Sequence, residues 1–163
     1  CPGVSSFCGA AAALEAEYTL PGISQSVVIT RMAGRTPVPE KESVRSFAAH
    51  QATMVLFLST GLLRELSAEL MEGGYSEDTP AAIVYKATWP EQKVLRCTVG
   101  TLEQTAKEAD VTKTALIVVG EVLDGTYERS KLYDPTFTTE FRQASCSKKD
   151  SGQNGDDQNI EKR

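Results

Sequence analysis

Three uninterrupted apolar runs constrain this 163-residue chain more than any other feature: residues 53–58 (TMVLFL), 81–85 (AAIVY) and 114–119 (TALIVV). A run of five or six apolar residues without alternation marks a strand covered on both faces. Such strands need helices on both sides of the sheet, so the fold class is α/β. Two more segments read as strands. Residues 25–31 (QSVVITR) hold the β-branched Val27, Val28 and Ile29 in succession, and residues 93–98 follow the second apolar run after only seven residues. Seven residues are too few for a crossover helix, so 81–85 and 93–98 form an antiparallel pair. The sheet is therefore mixed and five-stranded.

Four helices fall between these strands. Residues 6–17 are rich in alanine and stop at Pro21-Gly22. The glycine and alanine along this helix imply that something packs close to its backbone. Residues 40–50 read as a short helix with Val44, Phe47 and Ala48 inward. Residues 60–72 place Leu62, Leu63, Leu66 and Leu70 on one face, after a Ser59 or Thr60 cap and before Gly73-Gly74. Thr101 and Gln104 form a capping-box pattern opening a helix to about residue 109. Residues 32–39 (MAGRTPVP) exclude regular structure, because Gly34, Pro37 and Pro39 break both helix and ladder.

Composition narrows the function classes. The chain carries a net charge of −5, and residues 143–163 hold four acids and four bases, so the excess negative charge lies in the body. That argues against nucleic acid as a partner. No apolar run approaches the roughly 20 residues of a membrane span, so no membrane association is expected. Cys1, Cys8, Cys97 and Cys146 lack C-x-x-C spacing, and His50 is the single histidine, so no metal site is expected. Reduced thiols and a cytoplasmic location follow from the compartment rule. Nucleotide-fold, P-loop, zincin and nucleophile-elbow signatures are absent.

Four places remain for chemistry. Ser5 and Ser6, after the Pro2-Gly3 turn, stand at a helix start; they either cap it or bind a polar ligand group. Arg31 and Arg35 flank or occupy the proline-stiffened loop. Their guanidinium forks suit a ligand with several carboxylates, or the loop is a solvated surface. Ser59 and the segment Lys86-Ala87-Thr88-Trp89 follow the carboxyl ends of strands, where α/β sheets bind ligands. Thr114-Ala115-Leu116 opens the last core strand.

Together these pieces resemble the tetrapyrrole methylases, which transfer methyl groups from S-adenosylmethionine (SAM) to porphyrinoid precursors. The matching elements are P-G-V-S-S at 2–6, G-R-T-P-V-P at 34–39, M-V-L-F-L-S at 54–59, D-T-P-A-A-I-V-Y-K-A-T-W-P at 78–90, T-A-L-I-V-V-G at 114–120 and Y-D-P-x-F-x-x-x-F-R at 133–142. Loop 34–39, residues 85–90 and the 133–142 ending resemble in particular those members that methylate carbon 11 of precorrin-4 or cobalt-precorrin-4 in cobalamin synthesis. The resemblance implies a two-domain parent with SAM between the domains, of which residues 1–125 are the second. Residues 126–142 then form a family-specific extension, and 143–163 a polar disordered tail. It further implies SAM contacts at Ser5, Ser6, Leu58, Ala87, Thr114, Ala115 and Leu116, a tetrapyrrole substrate and a homodimer. Arg31 and Arg35 are inferred from charge to face the tetrapyrrole carboxylates. Uroporphyrinogen-III methylation, or a non-catalytic binding or dimerisation module, are the alternative readings.

Overall fold

The computed structural model describes residues 3–125, together with 136–138, 140, 142 and 143. The chain divides into two units, Cys1–Glu128 and Arg129–Arg163. In the second, the Arg142 guanidinium donates to the carbonyl of Phe137 at 3.4 Å. Cys1, Pro2, Cys146 and most of 126–142 and 143–163 lie outside the described residues, and with them the expected extension and tail.

The first unit is built on a sheet of five strands: β1 (Val27–Arg31), β2 (Thr53–Phe57), β3 (Pro80–Tyr85), β4 (Lys93–Thr98) and β5 (Ala115–Val119). Their spatial order is β1-β2-β5-β3-β4. β1 and β2 run parallel, with Arg31 opposite Phe57 at the end of their ladder. β5 lies antiparallel between β2 and β3, and β3 is antiparallel to β4. The mixed sheet and the 81–85/93–98 hairpin match the sequence reading. The central place of β5 does not follow from sequence order.

Four helices cover the sheet: α1 (Ser6–Leu14), α2 (Val44–Ala48), α3 (Leu63–Glu72) and α4 (Leu102–Glu108). The period of two along each strand separates two cores. Met54, Leu56, Ile83 and Ile117 face a core with Val44 and Ala48 of α2, Leu66 and Leu70 of α3 and Leu102 of α4. Val55, Ala82, Val84, Leu116 and Val118 face the other, with Ala10 and Leu14 of α1 and Tyr18. Each apolar run is thus apolar throughout because alternate residues serve opposite layers.

The boundaries differ from the sequence reading in instructive ways. α1 ends at Leu14, three residues early, because Glu15 turns left-handed at φ 52°. The 40–50 helix splits into a 3₁₀ turn, Glu40–Glu42, and α2, whose Ser43 hydroxyl accepts from the Ser46 amide. The capping box forms between Thr98 and Thr101 rather than Thr101 and Gln104. Ser59 does not cap α3: its hydroxyl accepts from the Met32 amide at 3.0 Å and donates to the Phe57 carbonyl at 2.7 Å. Cys8 and Cys97 are free thiols.

Gly73 shows what a close approach demands. A Cβ there would stand 2.3 Å from the Ala48 Cβ and 2.6 Å from the Arg45 carbonyl oxygen. Gly73→Ala should therefore push α2 from α3 and cost about 1–3 kcal/mol of unfolding free energy in urea melts. Gly61→Ala, with nothing within 4 Å of its Cβ, should stay within about 0.5 kcal/mol of the parent.

Two tyrosines anchor loops, one to α1 and one to the residue before β2. Tyr18 donates to the Phe7 carbonyl at 2.9 Å, and Tyr75 donates to the carbonyl of Ala52. Burial pushes both phenols up to about 12, with smaller contributions from Cys8 and Glu121 respectively. A raised folded pKa adds stability that is complete below the unfolded value of 10 and is lost as pH climbs through about 12. The urea midpoint should fall across that window, and a Tyr18→Phe/Tyr75→Phe variant should show a shallower fall.

Candidate functional site

The strand directions decide where a cleft forms. The carboxyl ends of β2 and β3 and the amino end of β5 lie at one end of the sheet. Between them opens a cleft of about 370 Å³, lined by Ser6, Phe57, Leu58, Thr60, Gly61, Val84, Lys86, Ala87, Trp89 and residues 112–116. That volume suits a small molecule, since such sites occupy roughly 300–1,000 Å³.

The rim is strained. Leu58, Lys86, Thr88 and Thr114 all have positive φ, at 52°, 45°, 72° and 59°. A left-handed conformation costs a non-glycine residue roughly 1–2 kcal/mol, so four in one place need support from their surroundings. The support is visible. The Lys86 amide donates to the Thr114 carbonyl at 3.0 Å, joining two of the strained residues. The Thr88 amide donates to Gln92 Oε1 at 2.7 Å. Leu58 sits between Phe57 and the doubly bonded Ser59. Leu58 is held with 85% of its surface exposed, and Trp89 with 55%. Both are apolar groups kept out of the core at the cleft.

α1 closes one side. A Cβ on Gly9 would stand 3.2 Å from Thr88 Cγ2 and 3.7 Å from the Ala87 Cβ. The small residues of this helix let it approach loop 86–89, as its composition implied. Ser5 occupies the N-cap position, yet its side chain makes no capping bond; its carbonyl accepts from the Cys8 amide at 3.0 Å. Both Ser5 and Ser6 are exposed.

Charge is sparse and positive. Lys86 Nζ lies 5.3 Å from the ring centroids of both Tyr85 and Trp89, and 3.7 Å from a Glu91 carboxylate oxygen. Lys113 adds a second cation to the lining. Apolar walls with hydroxyls and cations at the edge fit a ligand with an apolar body and a polar or anionic end. Among the described residues no group of three or more His, Cys, Asp or Glu is placed to hold a metal ion, and no helix is long and apolar enough to cross a membrane.

The structure brings Ser6, Leu58, Ala87, Thr114, Ala115 and Leu116 to this one cleft. Ser5 is adjacent in sequence but not in the lining. Arg31 and Arg35 are outside it as well. The Arg31 guanidinium donates to the carbonyls of Met32, Thr36 and Pro37, at 3.1, 3.2 and 3.0 Å. Arg35 is exposed. Sequence reasoning missed Thr60, Gly61, Thr112 and Lys113. The last two precede an antiparallel strand, so a rule that looks only at carboxyl ends passes over them.

The family model for tetrapyrrole (corrin/porphyrin) methylases matches residues 1–103. A cobalt-precorrin-4 C(11)-methyltransferase of Methanocaldococcus jannaschii is 49% identical over 144 residues, covering 88% of this chain and 56% of the relative. A precorrin-4 C(11)-methyltransferase of Sinorhizobium sp is 41% identical over 143 residues, covering 86% and 56%. Among solved structures, a cobalt precorrin-4 methyltransferase superposes with a TM-score of 0.74 at 47% identity, covering 76% of this chain and 52% of that one. The chain thus spans about half the length of the relatives it matches. The chain belongs to the tetrapyrrole methylase family.

Proposed function

We propose that this chain supplies one wall of the SAM site in a methyltransferase acting at carbon 11 of precorrin-4 or cobalt-precorrin-4. The observation that carries the reading is the convergence of Ser6, Leu58, Ala87, Thr114, Ala115 and Leu116 on one cleft. Leu58 and Thr114, far apart in the chain, meet there because β5 runs antiparallel between β2 and β3. Identity of 41–49% to C(11)-methyltransferases supports the ring position. On this reading residues 1–125 form the second of two domains, followed by an extension at 126–142 and a tail at 143–163; the assembled protein is a cytoplasmic homodimer.

Bound here, SAM supplies an electrophilic methyl group for a nucleophilic ring carbon. The chain's own residues do the positioning. Phe57, Val84 and Leu116 supply the apolar wall against which the adenosine would lie, with exposed Leu58 at its edge. The propped backbone of Lys86 and Thr114 keeps the rim in one conformation before the ligand arrives, so little ordering entropy is lost on binding. Alignment in a dry cleft is the main source of rate acceleration for such a displacement. No residue of this chain needs to act as a strong base or hold a metal. Arg35 contributes a cation for tetrapyrrole carboxylates, with Arg31 beside it.

A second reading is a module that binds or dimerises without catalysis. Calorimetry separates the two. SAM should bind tightly to this chain preceded by the amino-terminal portion of the Methanocaldococcus jannaschii relative, and at least a hundredfold more weakly to the chain alone. Absence of heat in both titrations would sink the SAM reading. Leu58→Asn sharpens the test, because asparagine tolerates the left-handed region better than leucine. This variant should melt at or above the parent temperature yet bind SAM about tenfold more weakly. Arg35→Ala should weaken tetrapyrrole binding about fivefold or more and leave SAM affinity unchanged; equal loss of both would contradict a carboxylate contact there.

A further inference from the structure

The carboxyl end of β1 carries two features that the cleft does not explain. Arg31 spends its guanidinium on its own loop. Nη1 donates to the carbonyls of Met32 and Thr36, at 3.1 and 3.2 Å, and Nη2 to that of Pro37, at 3.0 Å. One planar fork therefore ties the first residue of the loop to its far side. Ser59 is completely buried. Its hydroxyl accepts from the Met32 amide at 3.0 Å and donates to the Phe57 carbonyl at 2.7 Å.

These bonds meet at one point. The parallel β1/β2 ladder ends with Arg31 opposite Phe57. The next amide of β1, that of Met32, finds the Ser59 hydroxyl in place of a backbone carbonyl. Leu58 is then free to leave the ladder and turn left-handed at φ 52° into the cleft. The same hydroxyl holds the root of the loop and the end of a strand that walls the cleft. Between the anchored carbonyls of Met32 and Thr36 stands Arg35, exposed. The loop also rests on the turn that borders the cleft: a Cβ on Gly34 would lie 3.7 Å from Leu62 Cδ1.

We propose that Arg31 and Ser59 form a latch that fixes loop 32–37 to the cleft strand and presents Arg35 to the substrate carboxylates, Arg31 being a positioning residue and not itself a carboxylate contact. The latch stands on the hydrogen bonds above. Its purpose rests on the tetrapyrrole reading of Arg35. The distinction has chemical content, since a lysine at position 31 keeps the charge but loses the fork that spans three carbonyls.

Two arms test it. The first is amide hydrogen exchange by NMR on this chain. The Gly34 amide donates to Thr36 O inside the loop at 3.3 Å. Arg31→Lys should speed exchange at Gly34, and Ser59→Ala at Met32, each about tenfold. The Ile117 amide at the sheet centre should be unchanged, which shows the fold intact. Wild-type protection at Gly34 in Arg31→Lys would overturn the latch. The second arm measures quenching of an octacarboxylate porphyrin by the amino-terminally extended protein. Arg31→Lys should weaken binding as far as Arg31→Ala does, while Arg35→Lys retains most of it. In an Arg35→Ala background Arg31→Lys should add no further loss; additive losses would make Arg31 an independent contact and overturn the positioning role. If the parent protein binds no porphyrin, the substrate reading of Arg35 fails, and the exchange arm alone decides the latch.

Discussion

Antiparallel pairing of β5 with both β2 and β3 is the constraint on which the rest of the structure depends. It places Val118 opposite both Val55 and Ala82, and Ile117 opposite both Leu56 and Ile83. Those side chains fill the two cores, one against α2, α3 and α4 and one against α1. The same pairing reverses the central strand relative to its neighbours. Its amino end therefore stands beside the carboxyl ends of β2 and β3, and three segments distant in sequence share one edge. A parallel β5 would have put Thr114 at the opposite end of the sheet, and no cleft would join it to Leu58.

Strain at the cleft follows from that arrangement. Chains leaving β2 and β3 must turn at once to clear the incoming β5, and they do so through left-handed Leu58, Lys86 and Thr88. Supports come from the neighbours themselves: Thr114 for Lys86, Gln92 for Thr88, and Ser59 beside Leu58. Stability lost in backbone conformation is offset by hydrogen bonds that also immobilise the rim. A rim fixed in advance lets a ligand bind without first ordering the protein. Glycine at these positions would relieve the strain and forfeit the apolar surface of Leu58, which projects to solvent at the cleft.

Much of the fold was legible in the sequence because burial on both faces leaves a direct trace. Residues 53–58, 81–85 and 114–119 read as strands from apolar runs alone, and the structure places strands there. The hairpin was legible because seven residues cannot cross over a sheet. The glycine and alanine of α1 announced a close neighbour, and Gly9 meets Thr88 and Ala87. Other features left no trace. Ser59 reads as a helix cap by its position and instead serves β1, because a hydroxyl takes whichever donor the tertiary structure brings. Arg31 reads as a free cation, and its fork is engaged by three carbonyls of a loop whose curl sequence cannot show.

Taken alone, the sequence determined the α/β class, the five strands and four helices, the hairpin and, through its motifs, membership of the tetrapyrrole methylase family. These depend on local periodicity, turn chemistry and residue patterns, all of which are written along the chain. Tertiary structure decided the order β1-β2-β5-β3-β4, the meeting of Ser6, Leu58, Ala87 and Thr114 at one cleft, and the engagement of the Arg31 fork by its own loop while Arg35 stays exposed. Those depend on which backbone groups pair across long separations. A strand's apolar surface says that it is buried, but its partners are chosen by the packing of both faces at once, and only the folded chain makes that choice visible.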